Sequence, residues 1–237
     1  MSKLAKTAVT ASVLAATALV SLPAAAEVSG NVALTTDYMW RGVSQSDSDP
    51  AIQGGFDYAH PSGFSAGVWG SNVDFDETVA DSADMELDLY ASYGNAFANG
   101  LGWSVGAIHY DYPGTDADLN WDEVNVGASY KWFSASVNYS DNVFNSDHAG
   151  TYYNLGFNYD LPQDFTVSAA YGMYRFDKEV NGAGNPDSYN HYSIGISKAL
   201  GGFGFDLTYY DSNDDAETLY GDDWTKGRAV FTVSKSL

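Results

Sequence analysis

The sequence predicts an all-β fold, a closed antiparallel up-and-down transmembrane β-barrel of about 12 strands with short periplasmic turns and long acidic outer loops. Three observations predict it. Apolar and polar residues alternate with a period of two along most of the chain. The joins between these runs are short and long by turns. Tyr and Phe recur at one height on the apolar face. Such alternation marks strands with two unlike faces.

The first 26 residues stand apart. Met1 to Lys6 carries two lysines and no acid, an Ala-rich apolar stretch runs from Ala8 to Leu22, and Ala24-Ala25-Ala26 offers small residues for cleavage. This is the pattern of a secretory signal peptide over 1–26, leaving a single barrel domain over 27–237. The apolar stretch is too short for a spanning helix. After Glu27 no run of 18 apolar residues occurs. Any membrane crossing must therefore be made by strands, whose backbone groups are satisfied only when the sheet closes.

Composition narrows the function classes. Without Lys3 and Lys6, 31 acids face eight basic residues, a net charge of −23. Nucleic acid, which needs a basic surface, is disfavoured as a partner. Acidity with few aromatics would suggest disorder, but 18 Tyr, 12 Phe and 6 Trp argue for a built structure. The chain has no cysteine, so stability must come without disulfides.

Strands are expected near 28–41, 51–58, 63–73, 84–93, 101–110, 122–130, 133–141, 151–159, 165–175, 189–198, 203–210 and 225–236. Ten and fourteen strands remain open to the same pattern. Short joins fall at His60-Pro61-Ser62, Gly94–Gly100, Lys131-Trp132, Asp160–Asp164 and Ala199–Gly202; long ones cover 42–50, 74–83, 111–121, 142–150, 176–188 and 211–224. Helical periodicity is absent. Short turns at one end and long loops at the other are the layout of bacterial outer-membrane barrels.

The faces follow from parity. Strands running toward the short turns end in Tyr58, Tyr93, Tyr130 and Tyr159; strands leaving them begin with Phe64, Phe133, Phe165 and Phe203. All eight share the parity of Ile52, Leu87, Val126 and Leu155. They read as an aromatic girdle at the headgroups. The opposite parity is small and polar, as in Ser134, Ser136, Asn138 and Ser140. A soluble lipocalin-like barrel or sandwich could carry the same alternation. It would have to bury Glu86, Asp88 and Glu123 in a dry core, at several kcal/mol each. A watery lumen removes that cost, so the apolar parity is assigned to lipid.

The segment Thr35-Thr36-Asp37-Tyr38-Met39-Trp40-Arg41-Gly42-Val43-Ser44-Gln45 resembles the start of the TorF family of porin-like proteins, also called the Gcw_chp family. The resemblance continues through Pro50, Gln53-Gly54-Gly55-Phe56-Asp57-Tyr58, Gly63-Phe64, Gly67-Val68-Trp69 and Ser71-Asn72-Val73-Asp74-Phe75, then Glu86, Asp88 and Tyr90. It implies an outer-membrane pore with its substrate open, and it carries no catalytic or binding role to any residue.

Candidate pore-lining residues are Glu86, Asp88, Glu123, Asp206, Asn138, Asn154, Arg41 and Arg228. Acidic rings select cations, which suggests passive diffusion of small solutes or ions with cation preference. The plainer reading is that Arg228, and Arg41 with it, pair with the acids and fill the lumen. A non-conducting structural or adhesive barrel is the alternative. The acidic loop residues Asp74, Asp76, Glu77 and Asp81; Asp116, Asp118 and Asp122; and Asp211, Asp214, Asp215, Glu217, Asp222 and Asp223 could funnel or bind cations, or simply be solvated. Asp211-Ser212-Asn213-Asp214-Asp215 faintly resembles a calcium loop, but Ala216 stands where Gly is needed and no flanking helix is expected. His109 with Asp111, and Asp147 with His148, lack an evident third member for catalysis; His60 and His191 stand alone. No phosphate cradle or Cys/His metal spacing occurs. No enzyme activity, cofactor or metal is expected. The expected partners are outer-membrane lipid and small solutes or ions.

Overall fold

The computed structural model describes residues 25–75, 83–115, 118–179 and 184–237. Of the expected signal segment only Ala25 and Ala26 are among them, and Asp76, Glu77, Asp81 and Asp116 lie outside the described residues. In chain order the strands are β1 (Glu27–Thr35), β2 (Met39–Trp40), β3 (Val43–Ser44), β4 (Ala51–Ala59), β5 (Phe64–Asn72), β6 (Met85–Ala96), β7 (Gly102–Asp111), β8 (Trp121–Tyr130), β9 (Phe133–Ser140), β10 (Gly150–Leu161), β11 (Phe165–Phe176), β12 (Ser188–Leu200), β13 (Phe203–Ser212) and β14 (Arg228–Ser236). Strands β2 and β3 pair only with each other; the other twelve form one closed antiparallel barrel, in which β1 joins β14 to β4. Leu34 closes the seam, opposite Ile52 on one side and Val233 on the other. Closure leaves no open sheet edge.

The joins alternate as expected. Lys131-Trp132 and Gly201-Gly202 are two-residue turns, with positive φ at Lys131 (56°), Gly201 (63°) and Gly202 (81°). Positive φ is what tight hairpins of right-twisted strands require. The loops at the far end are longer, and the last carries helices α1 (Asp214–Tyr220) and α2 (Asp222–Thr225). Both correct the expectation of no helix. Asp214, Asp215 and Glu217 occupy the first turn of α1, where acids complement the N-terminal end of the helix dipole. Ala216 and Leu219 of α1 are buried in the core. The acidic run is thus the start of a helix, and β14 begins at Arg228 rather than near 225.

The larger correction concerns the first strand. It was expected to continue to residue 41, with 42–50 as an outer loop, but β1 ends at Thr35. Thr36 still holds β14: its N–H donates to the Phe231 carbonyl at 3.0 Å, and the Phe231 N–H donates to its Oγ1 at 3.0 Å. After that the chain leaves the wall and turns into the lumen.

The apolar parity faces outward. Tyr58, Tyr93, Tyr130, Tyr159, Phe64, Phe133 and Phe203 are exposed and Phe165 is half-buried. Tyr130 lies opposite Phe133, and Phe64 opposite Tyr93, across adjacent strands. A second set, Tyr139, Tyr153, Tyr171, Tyr192 and Tyr209, is also exposed, on β9 to β13. Tyr139, Tyr153, Tyr171 and Tyr209 stand six positions from the first set, about 20 Å along each strand.

Inside, exposure changes along most strands, β14 excepted. On β10, Tyr152 and Asn154 are buried, Gly156 is half-buried, and Asn158 and Asp160 are exposed. On β8, Trp121 and Glu123 are buried while Asn125 and Gly127 are half-buried. The lumen is therefore accessible from the short-turn end and filled at the long-loop end.

Candidate functional site

The filling is built from the residues that carry the family resemblance. Met39 pairs with Ser44 and Trp40 with Val43, and Arg41-Gly42 make the turn between them with φ of 50° and 82°. Glycine is needed here twice over. The φ is positive, and any Cβ would run into His191 and Ser212. Asp37, Tyr38 and residues 40 to 46 are all buried, so the segment 37–46 is a hairpin plug lying within its own barrel.

Polar side chains fasten the plug to the wall. The Arg41 Nη2 group donates to both Glu123 oxygens, at 2.8 and 2.6 Å. The guanidinium carbon lies 4.2 Å from the Tyr152 ring centre, 4.3 Å from that of Trp40 and 4.8 Å from that of Tyr174. Tyr38 and Tyr112 donate their hydroxyls to Glu86, one to each oxygen, at 2.7 and 2.8 Å. Asp37 accepts from Ser44 (2.7 Å) and Ser46 (3.1 Å) on one oxygen and from Arg228 (2.7 Å) on the other. Arg228 also donates to Ser48 at 2.5 Å and to the Asp223 carbonyl. The Asp223 carboxyl, exposed beside this loop, is held below the usual carboxylate range by its hydrogen bond from Lys226. Ser212 donates to the Gly42 carbonyl at 2.8 Å.

Aromatic packing completes the closure. Trp40 meets Tyr110, Trp121, Phe144 and Tyr174 edge-on, with ring centres 5.9 to 6.3 Å apart. Tyr110 stacks on Trp121 at 4.2 Å, and Tyr38 meets Trp69 at 5.4 Å. Such pairs add stabilisation beyond their buried area. Gly172 leaves the room in which Tyr152 and His191 lie ring over ring, joined hydroxyl to Nε2 at 2.9 Å.

The sequence-predicted residues thus divide. Glu86, Asp88, Glu123, Asn138, Asn154 and Arg41 are buried in the closed half. Arg41 meets Glu123, but Arg228 goes to Asp37 instead of the inward acids. Asp88 is fully buried, and neither of its oxygens has a hydrogen-bond partner among the described residues. Asp206 lies in the accessible half and accepts from Thr208 at 2.7 Å. Two carboxylates not singled out before face the same space: Asp57 accepts from Tyr90 at 2.5 Å and Asp160 from Thr166 at 2.9 Å. Each is fixed by a hydroxyl donor. The lysines of that end lie outside the barrel, Lys131 over Tyr130, Lys198 over Phe165 and Lys235 over Phe203.

Asp37, Tyr38 and Trp40 are site residues that the sequence reading misses. The signal was there: Tyr38-Met39-Trp40 breaks the alternation, and a glycine follows at Gly42. The two histidine–aspartate approaches do not make a catalytic group. His109 pairs with Asp122 at 2.8 Å on the outer surface, and His148 lies 3.9 Å from Asp177. Among the described residues no three His, Asp or Glu side chains are grouped so as to hold a metal ion.

A family model described as "Bacterial protein of unknown function (Gcw_chp)" matches residues 21–237. No curated protein matches the chain. Among solved structures, one titled as the NanC porin is similar with a TM-score of 0.54 at 8% identity, covering 88% of this chain and 98% of the other. One titled "KdgM porin" is similar with a TM-score of 0.51 at 8% identity, covering 88% and 97%. The fold is therefore shared with porins.

Proposed function

This chain belongs to the Gcw_chp family of bacterial proteins of unknown function, and we propose that it works there as a porin-like outer-membrane channel for small solutes or ions, described here in its closed state. In this reading the chain is exported by a cleaved signal peptide, sits in the lipid of a Gram-negative outer membrane, and is not an enzyme. One observation carries the reading: a cylinder apolar outside, small and polar inside at its open end, with a discrete hairpin packed among inward rings closing the other. The TorF resemblance and the porin neighbours support it.

Cation preference is part of the proposal. Asp57, Asp160 and Asp206 face the accessible half, while Lys131, Lys198 and Lys235 face away from it. In planar bilayers under a potassium chloride gradient, currents through the protein with its hairpin removed should reverse on the cation-selective side. Changing all three aspartates to Asn should lower the cation-to-anion permeability ratio about threefold or more. Unchanged selectivity would remove these residues from the mechanism. A second reading, a non-conducting structural or adhesive barrel, is favoured by the aromatic filling around Trp40. It gains if no current appears with the hairpin removed.

A further inference from the structure

The contacts of Arg41 are those of a bound ligand. One guanidinium nitrogen, the buried Nη1, has no hydrogen-bond partner among the described residues; another, Nη2, meets both oxygens of one carboxylate, and the group lies against aromatic rings. These are the two devices by which proteins recognise planar organic cations. The groups that provide them, apart from Trp40, belong to the barrel wall: Glu123 on β8, Tyr152 on β10 and Tyr174 on β11. Tyr152 is braced from behind by His191. The recess is therefore part of the barrel, and the hairpin delivers its occupant.

Charge points the same way. Four carboxyl groups, Asp37, Glu86, Asp88 and Glu123, are buried at the plug, and of the two guanidinium groups there the half-buried Arg228 is committed to Asp37, which leaves Arg41 to Glu123. Asp88 has no partner among the described residues. If the hairpin withdraws, it takes Arg41 away and leaves the recess with carboxylates and ring faces. A buried carboxylate left without a counter-charge is costly.

We propose that the recess of Glu123, Tyr152 and Tyr174 is a binding site for small organic cations bearing a guanidinium group, and that Arg41 is a tethered mimic of that ligand which holds the channel shut. The site rests on the channel reading above and gives it a solute class. An entering guanidinium compound competes with Arg41 for Glu123 and frees the hairpin. Guanidinium is favoured over ammonium because it is the more weakly hydrated cation and lies readily against aromatic ring faces.

The test is agmatine binding by calorimetry to the full chain in detergent micelles, which needs no current to flow. Arg41→Gln should bind agmatine at least tenfold more tightly than the unaltered chain, and adding Glu123→Gln should abolish the gain. Equal affinity with and without Arg41, indifference to Glu123, or putrescine binding as tightly as agmatine would each overturn the proposal. If Arg41→Gln does not fold, the unaltered chain decides. A saturable change in tryptophan fluorescence with agmatine, absent with sodium chloride at equal ionic strength, supports the site; no saturable change overturns it. Binding without conductance would count against the channel reading and leave the site standing. Conductance without binding would do the reverse.

Discussion

Arg41→Met should destabilise the folded barrel by about 3–5 kcal/mol, the usual penalty for breaking a buried ion pair by removing one partner. Methionine keeps much of the apolar stem and can still lie against Tyr152 and Tyr174, so packing changes little. What changes is the charge. Glu123 is 1% exposed and loses the donor to both its oxygens. The double variant Arg41→Met with Glu123→Leu should recover most of the loss. A buried pair replaced by apolar residues of similar size is often neutral. Urea unfolding in micelles, followed by tryptophan fluorescence, measures both. A single-variant loss under about 1 kcal/mol, the range of exposed pairs, would mean that the pair is solvated and the lumen is not closed there.

Removing the hairpin should turn a nearly silent protein into a steady conductor. The operation is unusually clean here. Thr35 and Ala51 are partners in the same ladder, so an Asn-Gly turn in place of residues 36–50 would join β1 to β4 as an ordinary tight hairpin. The wall keeps its β1–β14 and β1–β4 pairing while the plug and its buried rings are lost. Single-channel conductance in planar bilayers should rise about tenfold or more, since a barrel of this size is closed only by what fills it. The excised barrel should also be less stable, because Glu86, Glu123 and Arg228 lose Tyr38, Arg41 and Asp37 as partners. A correctly folded, excised barrel that stays silent would leave the structural reading in possession.

The wall of this protein is legible in its sequence because the wall obeys a local rule. One parity faces lipid and the other faces the lumen, so Ile52, Val126 and Leu155 could be told from Gln53, Gly127 and Asn154 without knowing any contact. The lumen obeys no such rule. Toward the short turns its face is small and polar, as read, but toward the loops the same parity carries Trp69, Tyr110, Trp121, Tyr152, Tyr174 and Tyr189. Large inward rings in a barrel need something to pack against, and that something comes from a segment distant in sequence. The alternation that identified β1 was carried through Thr36 to Arg41 because Tyr38 and Trp40 continue a plausible apolar parity. The only local signs that the chain has left the wall are Met39 on the polar parity and Gly42 after it. The pairing of the two arginines is likewise a matter of tertiary geometry. Arg228 reaches Asp37, a partner 191 positions away.

Residues 37–46 lie inside the barrel, and cysteine accessibility tests this most directly. The chain has no cysteine of its own. Ser44 is fully buried in the hairpin and Thr218 is exposed on α1. Single Ser44→Cys and Thr218→Cys variants, reconstituted in vesicles, should differ by orders of magnitude in their rate of reaction with a bulky maleimide. Thr218→Cys should react at once, and Ser44→Cys only after unfolding. Equal rates at the two positions would place the segment outside as an ordinary loop and contradict the account.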